Sequence, residues 1–202
     1  MSESLVVLLH GVGASGADLV PVGQMAAPVL PRTRFVAPDA PFPFDQAPFG
    51  RQWFSLAGIG IDNLGGRVAE ARAAFDRTVA DAIAGAGFTD RLDRVALVGF
   101  SQGAIMSLDA VATGRWRGAG VVGFAGLLPL VTPISPAVRG ARVLMVNGEA
   151  DEVIPLAAGR HTAAMLEGAG ADLRFMTEPG LGHTISPDGL RQAAAFLALI
   201  LG

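Results

Sequence analysis

The stretch from Arg94 to Met106 constrains this chain most. Val95 to Val98 is an apolar run of strand character, Gly99-Phe-Ser-Gln-Gly103 follows, and a helical pattern begins at once. This is G-x-S-x-G between a strand and a helix, the context in which those letters set a serine on a sharp turn. Gly99 and Gly103 let the two backbones pass closely, and Ser101 takes the strained position between them. Its hydroxyl is then expected above a sheet edge, beside a helix N-terminus. Glycine and serine are common, so the five letters alone carry little; the flanking patterns carry the weight.

The rest of the chain supplies the sheet that such a turn requires. Leu5 to Leu9 is a continuous apolar run ending in His10-Gly-Val-Gly13, which reads as a buried parallel strand followed by a glycine loop. A helix is expected near Ala17 to Leu30, with Pro21 in its first turn, and a second strand over Arg34 to Ala37. Arg67 to Ile83 reads as an amphipathic helix with Val68, Ala71, Phe75, Val79 and Ile83 on one face. The helix after the turn buries Ala104, Ile105, Leu108, Val111 and Ala112. Further strands are expected at Val121 to Phe124, Val143 to Val146 and Leu173 to Thr177, with helices at Pro155 to Leu166 and Pro187 to Leu201. The alternation implies an α/β fold with a mainly parallel sheet and helices on both faces. At 202 residues, with no linker or repeat, one domain over 1–202 is expected. Between Pro38 and Asn63 lies a long irregular segment rich in Pro, Gly and aromatics, a kind of stretch more often functional than idle.

Composition removes most rival chemistries. There is no cysteine, no tyrosine and no lysine, so thiolate, tyrosine-acid and Ser-Lys mechanisms are excluded. A net charge of -3 without a basic cluster argues against nucleic acid as a partner. Only three histidines occur, His10, His161 and His183, at spacings unsuited to a metal site. Neither a metal nor a cofactor is expected. No signal peptide and no integral membrane segment is legible, so the expected location is cytoplasmic.

Serine is a weak nucleophile until a base takes its proton. His183, in the glycine-flanked loop Gly180-Leu-Gly-His-Thr-Ile-Ser-Pro187, is the preferred base. His161 falls inside a helix and is read as structural, and His10 as shaping the loop after the first strand. The base needs a carboxylate to hold its tautomer. Asp151 follows the Val143 to Val146 strand and gives the order Ser, Asp, His expected of an α/β-hydrolase; Glu149 and Glu152 are rivals in sequence. Donors for a developing oxyanion are expected from the backbone amides of Gln102, after the serine, and Val12, after the first strand.

Seven motifs then occur in order: His10-Gly-Val-Gly13, Ala37-Pro-Asp-Ala-Pro41, Arg51-Gln-Trp-Phe-Ser55, Gly99-Phe-Ser-Gln-Gly-Ala104, Gly123-Phe-Ala-Gly-Leu-Leu-Pro129, Gly148-Glu-Ala-Asp151 and Gly182-His-Thr-Ile-Ser186. Together they resemble the phospholipase/carboxylesterase family, relatives of the acyl-protein thioesterases, across nearly the whole chain. The resemblance implies a compact α/β-hydrolase fold with no large cap domain, acting on a small-molecule ester or thioester. It makes Ser101 the nucleophile, Asp151 the acid and His183 the base, with Val12 and Gln102 as oxyanion donors. It also places Trp53 on the acyl site, with Leu127 and Leu128 in the facing loop, and leaves Phe42 or Phe44 to pack the core. A homodimer is compatible with it.

Three departures matter. The family usually has extra strands before H-G-x-G, whereas here that motif starts at residue 10. The expected sheet is therefore six-stranded and wholly parallel, in the order second, first, third, fourth, fifth, sixth. Ala125 stands where the family often has serine. The absence of cysteine excludes cysteine lipidation of the kind some relatives carry. The expected activity is hydrolysis of short- to medium-chain carboxylic esters. Lysophospholipase or acyl-thioesterase activity by the same triad is the alternative, and a non-catalytic hydrolase-like binding protein is the remote one.

Overall fold

A computed structural model describes residues 3–60 and 62–202. The first two residues, and position 61 within the long irregular segment, lie outside the described residues. Strand β1 (Ser4–Leu9) leads through a 3-10 turn (Gly16–Leu19) into α1 (Val20–Ala26), then β2 (Thr33–Val36). A small pair, β3 (Phe42–Pro43) and β4 (Arg51–Gln52), precedes α2 (Leu64–Ala86). Then come β5 (Val95–Phe100), α3 (Gln102–Ala112), β6 (Gly120–Phe124), β7 (Arg142–Gly148), α4 (Leu156–Gly168), β8 (Asp172–Glu178) and α5 (Pro187–Leu201).

The main sheet has six strands in the order β2-β1-β5-β6-β7-β8, and every pairing is parallel. This is the order the sequence implied. Successive residues of a strand face opposite ways, and β1 shows the result. Leu5, Val7 and Leu9 join one core cluster with α2 and α3, while Val6 and Leu8 join a second with α1 and α5. A strand covered on both faces must be apolar throughout, which is why β1 reads as an unbroken run. Between β6 and β7 the chain forms a short 3-10 turn, Pro136–Val138, and no cap.

Two expectations need correcting. The first helix is shorter than Ala17 to Leu30, because a 3-10 turn takes its first residues before Pro21 starts α1. The segment from 38 to 63 contains the antiparallel β3–β4 pair, which nothing in its composition announced. In helix α3 the five residues expected to be buried are so, and the other six with them: all eleven are buried. Its one charge, Asp109, is fully enclosed and held by Arg72 and Arg115, each at 2.9 Å. A charge in that position must be paired to be tolerated, and this pairing also fastens α2 to α3.

Candidate active site

The strand register brings the carboxyl ends of β1, β5, β7 and β8 together at one edge of the sheet. At the end of β5 the chain turns sharply, and Ser101 adopts φ 52 and ψ -117. L-residues rarely occupy that region. The close passage explains the glycines: a Cβ on Gly99 would lie 2.4 Å from the Gly103 carbonyl carbon, and one on Gly103 would lie 2.0 Å from the Leu9 oxygen. No side chain larger than hydrogen fits at either place.

Ser101 Oγ lies 3.0 Å from His183 Nε2, and His183 Nδ1 lies 2.8 Å from Asp151 Oδ2. The loop carrying His183 is anchored at both ends. The Ala150 amide donates to the Leu181 carbonyl, and Ser186 caps α5 by accepting from the Gly189 amide. Phe100 packs against the imidazole, ring centres 5.0 Å apart. The other carboxylate oxygen of Asp151 accepts from the amides of Val153 and Ile154, both at 2.8 Å, so the group cannot rotate freely. Burial pushes the Asp151 carboxyl up, but the Ile154 amide, the His183 ring and the Val153 amide outweigh it and hold its pKa below the ordinary value. The rival carboxylates point elsewhere: Glu149 accepts from the Thr177 hydroxyl, and Glu152 is exposed.

Among the described residues, the amides of Val12 and Gln102 donate to no other backbone group. Both border the cavity beside Ser101. Gln102 opens α3, where the first amides lack intrahelical partners. His10, fully buried, accepts the Ala40 amide on Nε2 at 3.0 Å, while Nδ1 lies 2.7 Å from the Gly11 carbonyl. That pairing requires the neutral ring protonated on Nδ1. Burial accordingly lowers its pKa.

The cavity in front of Ser101 measures about 660 Å³ and is walled by apolar side chains from three segments. Phe54, Leu56 and Ile59 form one wall, Leu127 and Leu128 another, and Val153 and Ile154 a third. The asparagine and threonine beneath the second wall hold it in place. Asn147 donates to the Gly126 carbonyl at 3.2 Å, and Thr162 accepts from the Leu128 amide at 2.7 Å.

The structure thus brings together Ser101, Asp151, His183, Val12, Gln102, Leu127 and Leu128, but not Trp53. The indole is 0% exposed and packs edge-on against Phe75, with its Nε1 donating to the His10 carbonyl at 2.8 Å. A buried indole N–H needs such an acceptor, and the end of β1 supplies it. Phe54, the next residue, lines the cavity instead. Phe42 is 41% exposed rather than in the core, and Phe44 is half-buried against Gly13. His161, read as structural, is exposed and lies on the cavity rim. Neither Phe54 nor the rim position of His161 had a signal in the sequence.

A six-stranded parallel sheet, a strained serine turn at its third strand and a serine–histidine–aspartate chain define an α/β-hydrolase. The family description Phospholipase/Carboxylesterase matches residues 1–201, and the chain belongs to that family. It is 32% identical to esterase YpfH of Escherichia coli K12, covering 91% of this chain and 77% of that one. It is 31% identical to acyl-protein thioesterase 1 of Mycosarcoma maydis, covering 96% and 89%. Among solved structures, esterase PE8 superposes with a TM-score of 0.87 at 35% identity, over 99% of this chain and 94% of its own. Among the described residues, no helix is long and apolar enough to cross a membrane.

Proposed function

We propose that this protein is a serine carboxylesterase that cleaves short- to medium-chain carboxylic esters through an acyl-enzyme. The observation that carries the reading is the unbroken contact from Ser101 through His183 to Asp151, opening onto an apolar cavity. His183 Nε2 takes the Ser101 proton as Oγ attacks the carbonyl, and the negative charge on the carbonyl oxygen is met by the amides of Val12 and Gln102. The protonated ring, steadied by Asp151, then gives its proton to the departing alkoxide. Water enters, loses a proton to His183 and releases the acid, restoring Ser101. Asp151 stays ionised throughout, which suits its lowered pKa.

Thioester cleavage is the second reading, favoured by the similarity to acyl-protein thioesterase 1. Hydrolysis of p-nitrophenyl esters, acyl-CoA and lysophospholipid by the same preparation ranks the three substrate classes. The test of the enzyme reading is labelling by a fluorophosphonate: an adduct is expected on Ser101, and folded protein without one would be a binding protein instead. Asp151→Ala should lower ester kcat by about 10⁴-fold, in line with losses seen when a triad acid is removed. Near-full activity would shift the acid role to Glu149 or Glu152.

A further inference from the structure

One buried polar side chain beside the serine has no part in the steps above. Gln102 is 2% exposed, yet its carboxamide does not face the cavity. Its Oε1 accepts from the Trp53 amide at 2.9 Å, and its Nε2 donates to the Phe54 carbonyl at 2.9 Å. One partner is an N–H and the other a C=O, so the orientation of the carboxamide is fixed. The side chain thus stands in for the peptide group of a neighbouring strand, on a segment that has none there.

The segment it grips also holds the other oxyanion loop. The Gly13 amide donates to the Arg51 carbonyl, and the Arg51 amide donates to the Ala14 carbonyl, both at 2.8 Å. Residues 51–54 therefore form a strap. At one end it fixes the loop bearing Val12, and at the other it is tied to the first residue of α3. Between these ends it presents Phe54 to the cavity.

We propose that the Gln102 side chain is a positioning residue that makes acyl-chain selectivity depend on this strap. This rests on the esterase reading. An acyl chain packed on Phe54 presses on a dipeptide whose Trp53 N–H and Phe54 C=O are both held by the residue that also offers an oxyanion amide. Binding energy from the remote chain is thereby spent on aligning the reacting carbonyl, so a longer chain gains in kcat as well as in KM. A short acyl group that never reaches Phe54 gains nothing from the link.

The test compares p-nitrophenyl octanoate with p-nitrophenyl acetate in wild type, Gln102→Met and Gln102→Glu. Both esters use the same oxyanion amides, so their ratio of kcat/KM cancels any general effect near the serine. Gln102→Met can neither donate nor accept here; the octanoate preference should fall about tenfold, mostly in kcat, and stay low at every pH, a loss in the range expected for a small misplacement. Gln102→Glu is the conservative rescue. As a carboxylate it repels the Phe54 carbonyl, but when protonated it donates to that carbonyl and accepts from Trp53 as glutamine does. Burial raises a carboxyl pKa, so the octanoate preference of this variant should climb back toward wild type as pH is lowered to about 5.5, above the ordinary glutamate value.

A preference unchanged in Gln102→Met, or equally low in Gln102→Glu at all pH values, overturns the proposal. If Gln102→Met does not fold, the pH dependence of Gln102→Glu decides alone. Should wild type hydrolyse neither ester, the esterase reading fails first. The strap is then tested by hydrogen exchange at the Trp53 amide: faster in Gln102→Met if the link holds it, unchanged if it does not.

Discussion

The serine turn and the segment from 38 to 60 border one cavity but are fixed by different forces. The turn is fixed by exclusion. Two glycines allow two backbones to touch, and the helix behind them is enclosed on all sides. The segment has little regular structure beyond the β3–β4 pair and is held by the buried Trp53 and by hydrogen bonds to distant residues. His10 holds Ala40 across 30 positions, and Gln102 holds Trp53 across 49. Sterically fixed chemistry needs only neighbours in sequence, whereas a wall tied by polar side chains needs the finished fold. The wall is therefore the part most open to adjustment by a single substitution.

The largest test of this contrast is Ser101→Ala. Ester kcat should fall by on the order of 10⁶-fold, with the thermal midpoint nearly unchanged. A large loss of stability would mean that the turn is held by its serine rather than by its glycines. Next is Trp53→Ala, which removes a fully buried indole and should cost about 3–5 kcal/mol in denaturant unfolding. A loss near zero would show that the segment is not anchored through the core.

Smaller again is the pH effect of His10. Its native pKa lies below the ordinary 6.5, so the unfolded chain binds this proton at a pH where the native protein does not. That contribution to stability is complete above 6.5 and drains away as pH falls below it. The midpoint should drop by a few degrees per pH unit in that range, consistent with about 1 kcal/mol for a protein of this size. His10→Gln should flatten the slope, and an unaltered slope would assign it to other groups. Smallest is Phe42→Ser on the exposed face of the segment, expected within about 0.5 kcal/mol of wild type.

This contrast also explains what the sequence could reveal. Strand runs such as Leu5 to Leu9 and the Ser101 turn announce themselves because burial on both faces and glycine contacts dictate residue type locally. The carboxylate and histidine were legible because they follow the carboxyl ends of two later strands, at the same edge of the sheet as the serine. Trp53 was misplaced because motif order says that an aromatic lies near the site, while only the indole's need for the His10 carbonyl says which way it faces. Phe54, the rim position of His161 and the second duty of Gln102 all depend on contacts between residues far apart in the chain. No period or spacing records those.

The enclosure of α3 has a practical consequence for anyone reshaping this enzyme. With all eleven residues buried and its one carboxylate locked between two arginines, the helix past Gln102 leaves little room for variation. A library aimed at new substrates gains little by sampling it beyond Gln102, however near the serine it runs. Diversity is better placed at 56 and 59, where partly buried side chains meet the cavity.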